Sequence, residues 1–206
     1  MKHQAGGNSL KLYDKQGSVL RVETTLNQPH AFRVYRPRER DQEQRLGWRV
    51  LRKSVADLHR RAEVCQAAND RYLDALSSID VARPLHALTA SLCQPVFKHG
   101  RRFRAINPWS PTDGALLEII SRGEWTINGF RNRDLRQHLY WANPPALQKQ
   151  RAAKVSRLLA LLRAHGLIKK ITGTHRYLLT QHGRQIITAL LAARQATPNQ
   201  LTKIAA

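Results

Sequence analysis

KVSRLLALLRAHGLIKKITGTHRYLLTQHG, residues 154–183, is the stretch whose reading decides the fold. Val155, Leu158, Leu159 and Leu162 recur at the three- and four-residue spacing of an amphipathic helix, and Gly166 marks its end. Leu167-Ile168-Lys169-Lys170-Ile171, a Thr172-Gly173-Thr174 turn and Arg176-Tyr177-Leu178-Leu179 then predict a short basic hairpin. Thr180 supplies an N-cap for another helix, whose Ile186, Ile187, Leu190 and Leu191 close a core.

Working upstream, the helix is expected to open at Asn143-Pro144-Pro145 and to run to about His165. On a wheel, Leu147, Val155, Leu158, Leu159 and Leu162 line its inner side. Lys149, Gln150, Ala153, Ser156 and Arg157 point away, Lys154 flanks the boundary, and Arg151 falls on the apolar side. Ser110-Pro111-Thr112-Asp113 is a strong helix start, with Ser110 as N-cap and Pro111 in the first turn. Leu116, Leu117, Ile119 and Ile120 form the face of that helix, and Gly123 ends it. Trp125-Thr126-Ile127 reads as a short extended piece, Asn128-Gly129 as a turn, and Asn132–Tyr140 as a helix capped by Asn132.

The order of these parts, with HGLIKK…RYLLTQHGR at its end, resembles winged helix-turn-helix DNA-binding domains of the MarR and ArsR type over residues 110–194. The resemblance implies a duplex-DNA surface in which the helix before Gly166 enters the major groove. There an arginine can bond guanine bidentately and a glutamine can read adenine. The residues so implicated are Lys149, Gln150, Lys154 and Arg157 on the helix. Lys169, Lys170, His175 and Arg176 on the wing would meet phosphates or a minor groove. The resemblance implies neither an effector ligand nor a catalytic activity, and no cofactor or metal.

Ahead of this segment the pattern changes. NSLKLYD and SVLRVETTL predict strands around a Lys15-Gln16-Gly17 turn, and Ala31–Tyr35 a third, giving a β segment over 1–36. Tyr13-Asp14-Lys15 followed by Leu20-Arg21-Val22-Glu23 is similar to strands of phage and plasmid replication initiators. That likeness would make the chain an accessory or remnant of a mobile-element replication or transposition protein, with Tyr13, Asp14 and Glu23 as its candidate catalytic groups, but the metal-binding His-hydrophobe-His motif is absent. A plain hairpin with a Lys–Glu cross-strand pair is the other reading. Residues 37–50, charged and broken by Pro37 and Gly47, read as a linker or irregular segment. Val55, Leu58, Ala62, Cys65, Ala68, Tyr72 and Leu76 predict a long helix. Leu85, Leu88 and Leu92 predict a second, antiparallel to it, which buries both stripes unless they form a dimer seam. Residues 96–109 read as a basic linker in which Lys98, Arg101, Arg102 and Arg104 can grip a phosphate backbone. The expected fold class is mainly α with small β elements: an N-terminal β-hairpin, a central helical pair over 37–95, a winged helix over 110–194 and a tail over 195–206.

Composition narrows the function. Thirty-five Lys and Arg against 14 Asp and Glu give a formal charge of +21 in 206 residues. Such a chain attracts polyanions, because every phosphate contact releases counterions. The expected partner is nucleic acid, double-stranded DNA first and structured RNA as the alternative, with no membrane partner and with a homodimer allowed. Cys65 and Cys93 stand 28 positions apart, so neither a disulfide framework nor a cysteine zinc site is indicated. Together with the absence of an apolar leader, this points to a cytoplasmic, nucleoid-associated protein. Aromatic residues make up only 6% of the chain, which speaks against an aromatic platform for single strands. No constellation of catalytic groups is visible, so the expected function is non-catalytic.

Overall fold

The computed structural model describes residues 1–39, 43–77, 83–141 and 144–200. In chain order the elements are β1 (Lys2–Ala5), β2 (Asn8–Lys15), β3 (Val19–Leu26), β4 (Arg33–Pro37), β5 (Leu46–Val50), α1 (Leu58–Ser77) and α2 (Leu85–Thr89). There follow β6 (Val96–Lys98), β7 (Arg101–Phe103), α3 (Pro111–Ile120), α4 (Trp125–Asn128), α5 (Asn132–Leu139), α6 (Gln148–Ala164), β8 (Ile168–Lys170), β9 (Tyr177–Leu179) and α7 (Gln181–Gln195). The class is mixed α+β with small sheets. The chain divides into two compact units that cut across sequence order. Unit 1 takes Met1–Leu76, Gly123–Gly129 and Lys170–Leu178; unit 2 takes Ser77–Arg122, Phe130–Lys169 and Leu179–Ala206. A boundary at residue 110 or 194 therefore follows neither unit.

In unit 1, β1, β2 and β3 form an antiparallel sheet in that order. β1 was not foreseen; a Gly6-Gly7 turn folds it back so that His3 faces Leu10 in the ladder. Leu10 and Leu12 pair with Thr24 and Val22, placing all four on one face of the sheet. α1 packs on that face: the Thr24 hydroxyl donates to Asn69 Oδ1 at 2.7 Å and the Cys65 thiol to the Thr24 carbonyl at 3.8 Å. Leu10, Phe32, Val34, Leu51, Tyr72 and Ile127 form the core. The expected linker over 37–50 is in fact half of a hairpin, β4 with β5, in which Pro37 pairs with Leu46 at the end of the ladder. Pro37 is tolerated there because a strand end can spare a donor. Arg40, Asp41 and Gln42 lie outside the described residues.

The central helical pair is also corrected. Only Ala68 and Tyr72 of the α1 stripe are buried, whereas Val55 is 82% and Leu58 56% exposed. The stripe serves a sheet at its middle and not a partner helix along its length. α2 is a five-residue helix that packs on α7 within unit 2.

Unit 2 is built on leucines and isoleucines from four helices. Leu116, Leu117 and Ile120 of α3, Leu135 of α5, Val155, Leu159 and Leu162 of α6, and Ile186, Ile187 and Leu190 of α7 are all buried. Leu88, Leu92 and Ile106, from outside the 110–194 span, are buried too. Ser110 caps α3 as its sequence indicates, its hydroxyl accepting from Asp113 N at 3.2 Å. Three local expectations fail. Trp125–Asn128 is a helical turn, not a strand, and its Thr126 and Ile127 are buried in unit 1. Arg131, not Asn132, is the N-cap of α5; Asn132 is its first helical residue. A single 3-10 turn, Pro145–Leu147, precedes α6, and Leu147 is exposed rather than inward. Asn143, expected at that opening, lies outside the described residues.

Candidate nucleic-acid interface

α6 carries the first candidate set, and the structure shows what orients it. From α5, the Asn132 amide donates to Ala152 O and Ser156 Oγ, each at 2.9 Å. At the far end, Leu167 N donates to Leu162 O at 3.0 Å and Gly166 N to Arg163 O at 3.1 Å. That pair of reversed bonds closes the helix, with Gly166 at φ 71°, a conformation costly for a residue with a Cβ. Thr180 then joins the end of α6 to the start of α7. Its hydroxyl donates to Gly166 O at 2.7 Å and accepts from Gly183 N at 2.9 Å. A Cβ on Gly183 would stand 2.2 Å from Leu167 O, so the close approach requires glycine. The glycines and threonine of the quoted stretch thus have a common mechanical purpose: they fix where α6 points.

Gln150, Lys154 and Arg157 are exposed on α6. At positions i, i+4 and i+7 they fall within roughly 60° of the helix circumference and along about 10 Å of its length. Lys154 lies midway along the length of the stripe but at its edge, about 40° round the helix from half-buried Leu158, as its sequence position indicates. Lys149, also exposed, lies about 100° round the helix from Gln150. The next position of the stripe is Leu161, which is buried. Here β6 packs on α6, and His165 Nε2 lies 2.9 Å from Arg104 O.

What covers that end is not the linker expected over 96–109 but a hairpin. Val96, Phe97 and Lys98 pair with Phe103, Arg102 and Arg101. His99 and Gly100 turn the chain at φ 51° and 69°, the double positive φ of a tight two-residue hairpin. Lys98, Arg101 and Arg102 are exposed on it. Arg104 is not free in the same way: Nη1 and Nη2 donate to the two Asp113 oxygens at 2.7 and 2.6 Å. This fork-on-fork pair holds the Asp113 carboxyl below its ordinary pKa, against the opposing effect of burial. Arg104 is accordingly a structural partner of α3.

The second candidate set divides between the units. Lys169, exposed on β8, belongs to unit 2; Lys170, His175 and Arg176 belong to unit 1. Lys170 and His175 are exposed. Arg176 is half-buried, and its Nη1 donates to Asn128 O and Gly129 O at 3.2 Å each, tying the hairpin to α4.

The three initiator-like residues do not share a face of the sheet. Tyr13 and Glu23 lie on one face of the sheet and Asp14 on the other, where its carboxylate accepts from Gly17 N at 3.1 Å. Glu23 pairs with Arg21 at 2.5 Å, and Lys11 is its cross-strand neighbour. Among the described residues no group of three or more His, Cys, Asp and Glu side chains is placed to hold a metal ion. None of their helices is long and apolar enough to cross a membrane.

One cluster was not foreseen at all. Asp57 is fully buried among arginines, with Arg52 Nε at 3.1 Å, Arg36 Nε at 3.5 Å and Arg60 Nη1 at 3.6 Å. Burial alone would raise its pKa, but the Arg52 hydrogen bonds, from side chain and backbone, and the Arg36 charge bring it below the ordinary value. An aspartate before a helix is a common cap signal, so the sequence held no sign of this role. Asp57 and Asp113 are thus both buried in arginine pairs, which leaves the net charge of the remaining groups at +21. No family model, curated protein or solved structure matches this chain.

Proposed function

We propose that this chain is a non-catalytic double-stranded-DNA-binding protein whose segment from α3 to α7 works as a winged helix, with α6 as reading helix and β8–β9 as wing. The observation that carries this reading is the exposed stripe Gln150, Lys154 and Arg157 on a helix clamped at both ends. A glutamine and an arginine on one rigid stripe offer bidentate partners for adenine and guanine edges. The lysine between them offers a charge for the flanking phosphate. Lys98, Arg101 and Arg102 on the β6–β7 hairpin extend the basic surface beyond the end of that stripe, where Leu161 is covered.

Selection of bound sites from random duplexes, with matched structured RNA as competitor, tests the proposal. Enrichment of a short motif that RNA does not displace is the expected result; unenriched pools or preferential RNA retention would refute it. If about six cations meet phosphates, log affinity should fall with log salt at a slope near −5.

A further inference from the structure

Unit 1 carries a face that duplex binding leaves unused. In the β4–β5 ladder Arg33, Tyr35 and Pro37 lie opposite Val50, Trp48 and Leu46. Directly opposed residues of an antiparallel pair share a side of the pleat, so these six form one face. The reverse side carries Val34 and Arg36, both buried. On the open side Tyr35 is 55%, Leu46 61% and Trp48 39% exposed. A cluster of large apolar groups left in water on a two-stranded hairpin marks a contact surface.

The face is held rigid from beneath. Arg36 donates to Pro37 O at 3.1 Å and Val50 O at 3.2 Å, bridging the two strands, and its Nε sits 3.5 Å from Asp57. Above it, the rings of Tyr35 and Trp48 meet across the strands with centroids 5.5 Å apart and planes tilted by 56°. Trp48 is anchored further, because its ring rests on the β8–β9 turn: a Cβ on Gly173 would meet Trp48 Cγ at 2.6 Å. Tyr35 is thereby the ring left open. Of the six residues one is a cation and none is an acid, and the hairpin beneath Trp48 adds exposed Lys170 and His175. A second copy of this chain is a poor occupant, since two bodies of charge +21 repel each other. A flexible polyanion with flat apolar groups fits both features. An aromatic content of 6% excludes a stacking platform only if the rings are dispersed, and here two stand side by side.

We infer that the outer face of β4–β5 binds single-stranded nucleic acid, with a base stacked on Tyr35 and the neighbouring phosphates drawn to Arg33 and to the cations of the β8–β9 hairpin. Stacking on an aromatic ring tolerates any base, so the surface is sequence-blind. Tyr35, Trp48 and Arg33 lie on elements other than α6 and the β8–β9 wing, whereas Lys170 and His175 are shared with that wing, so Tyr35 and Arg33 carry the test.

The test uses the full chain and a fluorescein-labelled 20-nucleotide mixed-sequence DNA, single-stranded and as duplex. Tyr35→Ser should weaken single-strand binding by about 10-fold, the scale of one lost stacked base, and leave duplex binding unchanged. Tyr35→Phe keeps the ring and should bind as the parent does. Arg33→Gln, which cannot disturb the core from its exposed position, should lower the single-strand salt slope by about one contact. The inference is overturned if the parent chain ignores the single strand, or if Tyr35→Ser binds it undiminished. Equal loss on duplex, or a Tyr35→Ser effect seen only as loss of self-association in sedimentation, overturns it too. Failure of the duplex reading would appear separately, as a parent chain that binds single strands alone.

Discussion

Arg104 grips Asp113 through both terminal guanidinium nitrogens, whereas Arg157 stands exposed on α6. The two side chains make opposite predictions. The folded-state pKa of Asp113 lies below its ordinary 3.8, chiefly through the Arg104 hydrogen bonds. Its pairing therefore stabilises the fold fully above the unfolded pKa and is lost as pH falls through the folded one. Asp113→Asn should cost roughly 1–3 kcal/mol at pH 7 in urea titration. It should also lose part of the destabilisation the parent shows below about pH 4. An unchanged acid limb would place the effect elsewhere. Arg157→Ala and Gln150→Ala, by contrast, should leave stability within about 0.5 kcal/mol, as exposed substitutions do. Their effect should be a relaxed sequence preference in competition binding, while Lys170→Ala weakens all sequences alike. Equal, sequence-blind losses for all three would remove α6 from its reading role. The sequence distinguished Arg157 from the core side of its helix because helical period is local. It could not distinguish Arg104 from Arg102, because the carboxylate that claims Arg104 lies nine residues away.

At the scale of elements, α6 tests the packing argument. Leu162 is fully buried, so Leu162→Ala should cost roughly 2–5 kcal/mol through lost burial and a residual cavity. Urea unfolding followed by circular dichroism measures it, and a cost below about 0.5 kcal/mol would put this stripe at the surface. α3 and α7 were legible in the sequence because N-cap side chain and apolar spacing agree there, and α6 through its inward leucines and the Gly166 stop. The hairpins β4–β5 and β6–β7 were not. Leu46, Trp48 and Val50 do alternate, but they face water, and charged neighbours and Pro37 made the stretch resemble a linker. In β6–β7 the turn falls on His99-Gly100, and the strands are three residues each, too short to show a period. Trp125–Asn128 was misread because β-rich composition in four residues yields to tertiary packing, here the Arg71 guanidinium on Thr126 O and Ile127 O at 2.7 and 2.9 Å. Of the candidate site, the exposed residues of α6 were legible and the supporting hairpin was seen only as charge.

For the whole molecule, the partition into units bears on dissection. α4 is held by Arg71 and by the Asn128 amide on Ala31 O at 3.0 Å, and the β8–β9 turn by Trp48. A fragment of 110–194 discards all three supports, together with buried Leu88, Leu92 and Ile106. It should keep less helix than these same residues form in the full chain, and should melt at a lower temperature. A fragment as stable as the parent would mean these contacts contribute little. The two thiols offer a way to watch the units in the intact protein. Cys93 of unit 2 is exposed, while Cys65 of unit 1 is half-buried, hydrogen-bonded to Thr24 O, and its pKa is pushed up by burial. Thiolate is the reactive species, so a maleimide dye at neutral pH should take Cys93 well before Cys65. Sequential labelling, first with a donor and then, at higher pH, with an acceptor, would place one fluorophore on each unit of the native sequence. Energy transfer between them would then serve as a ruler for inter-unit motion when nucleic acid is added.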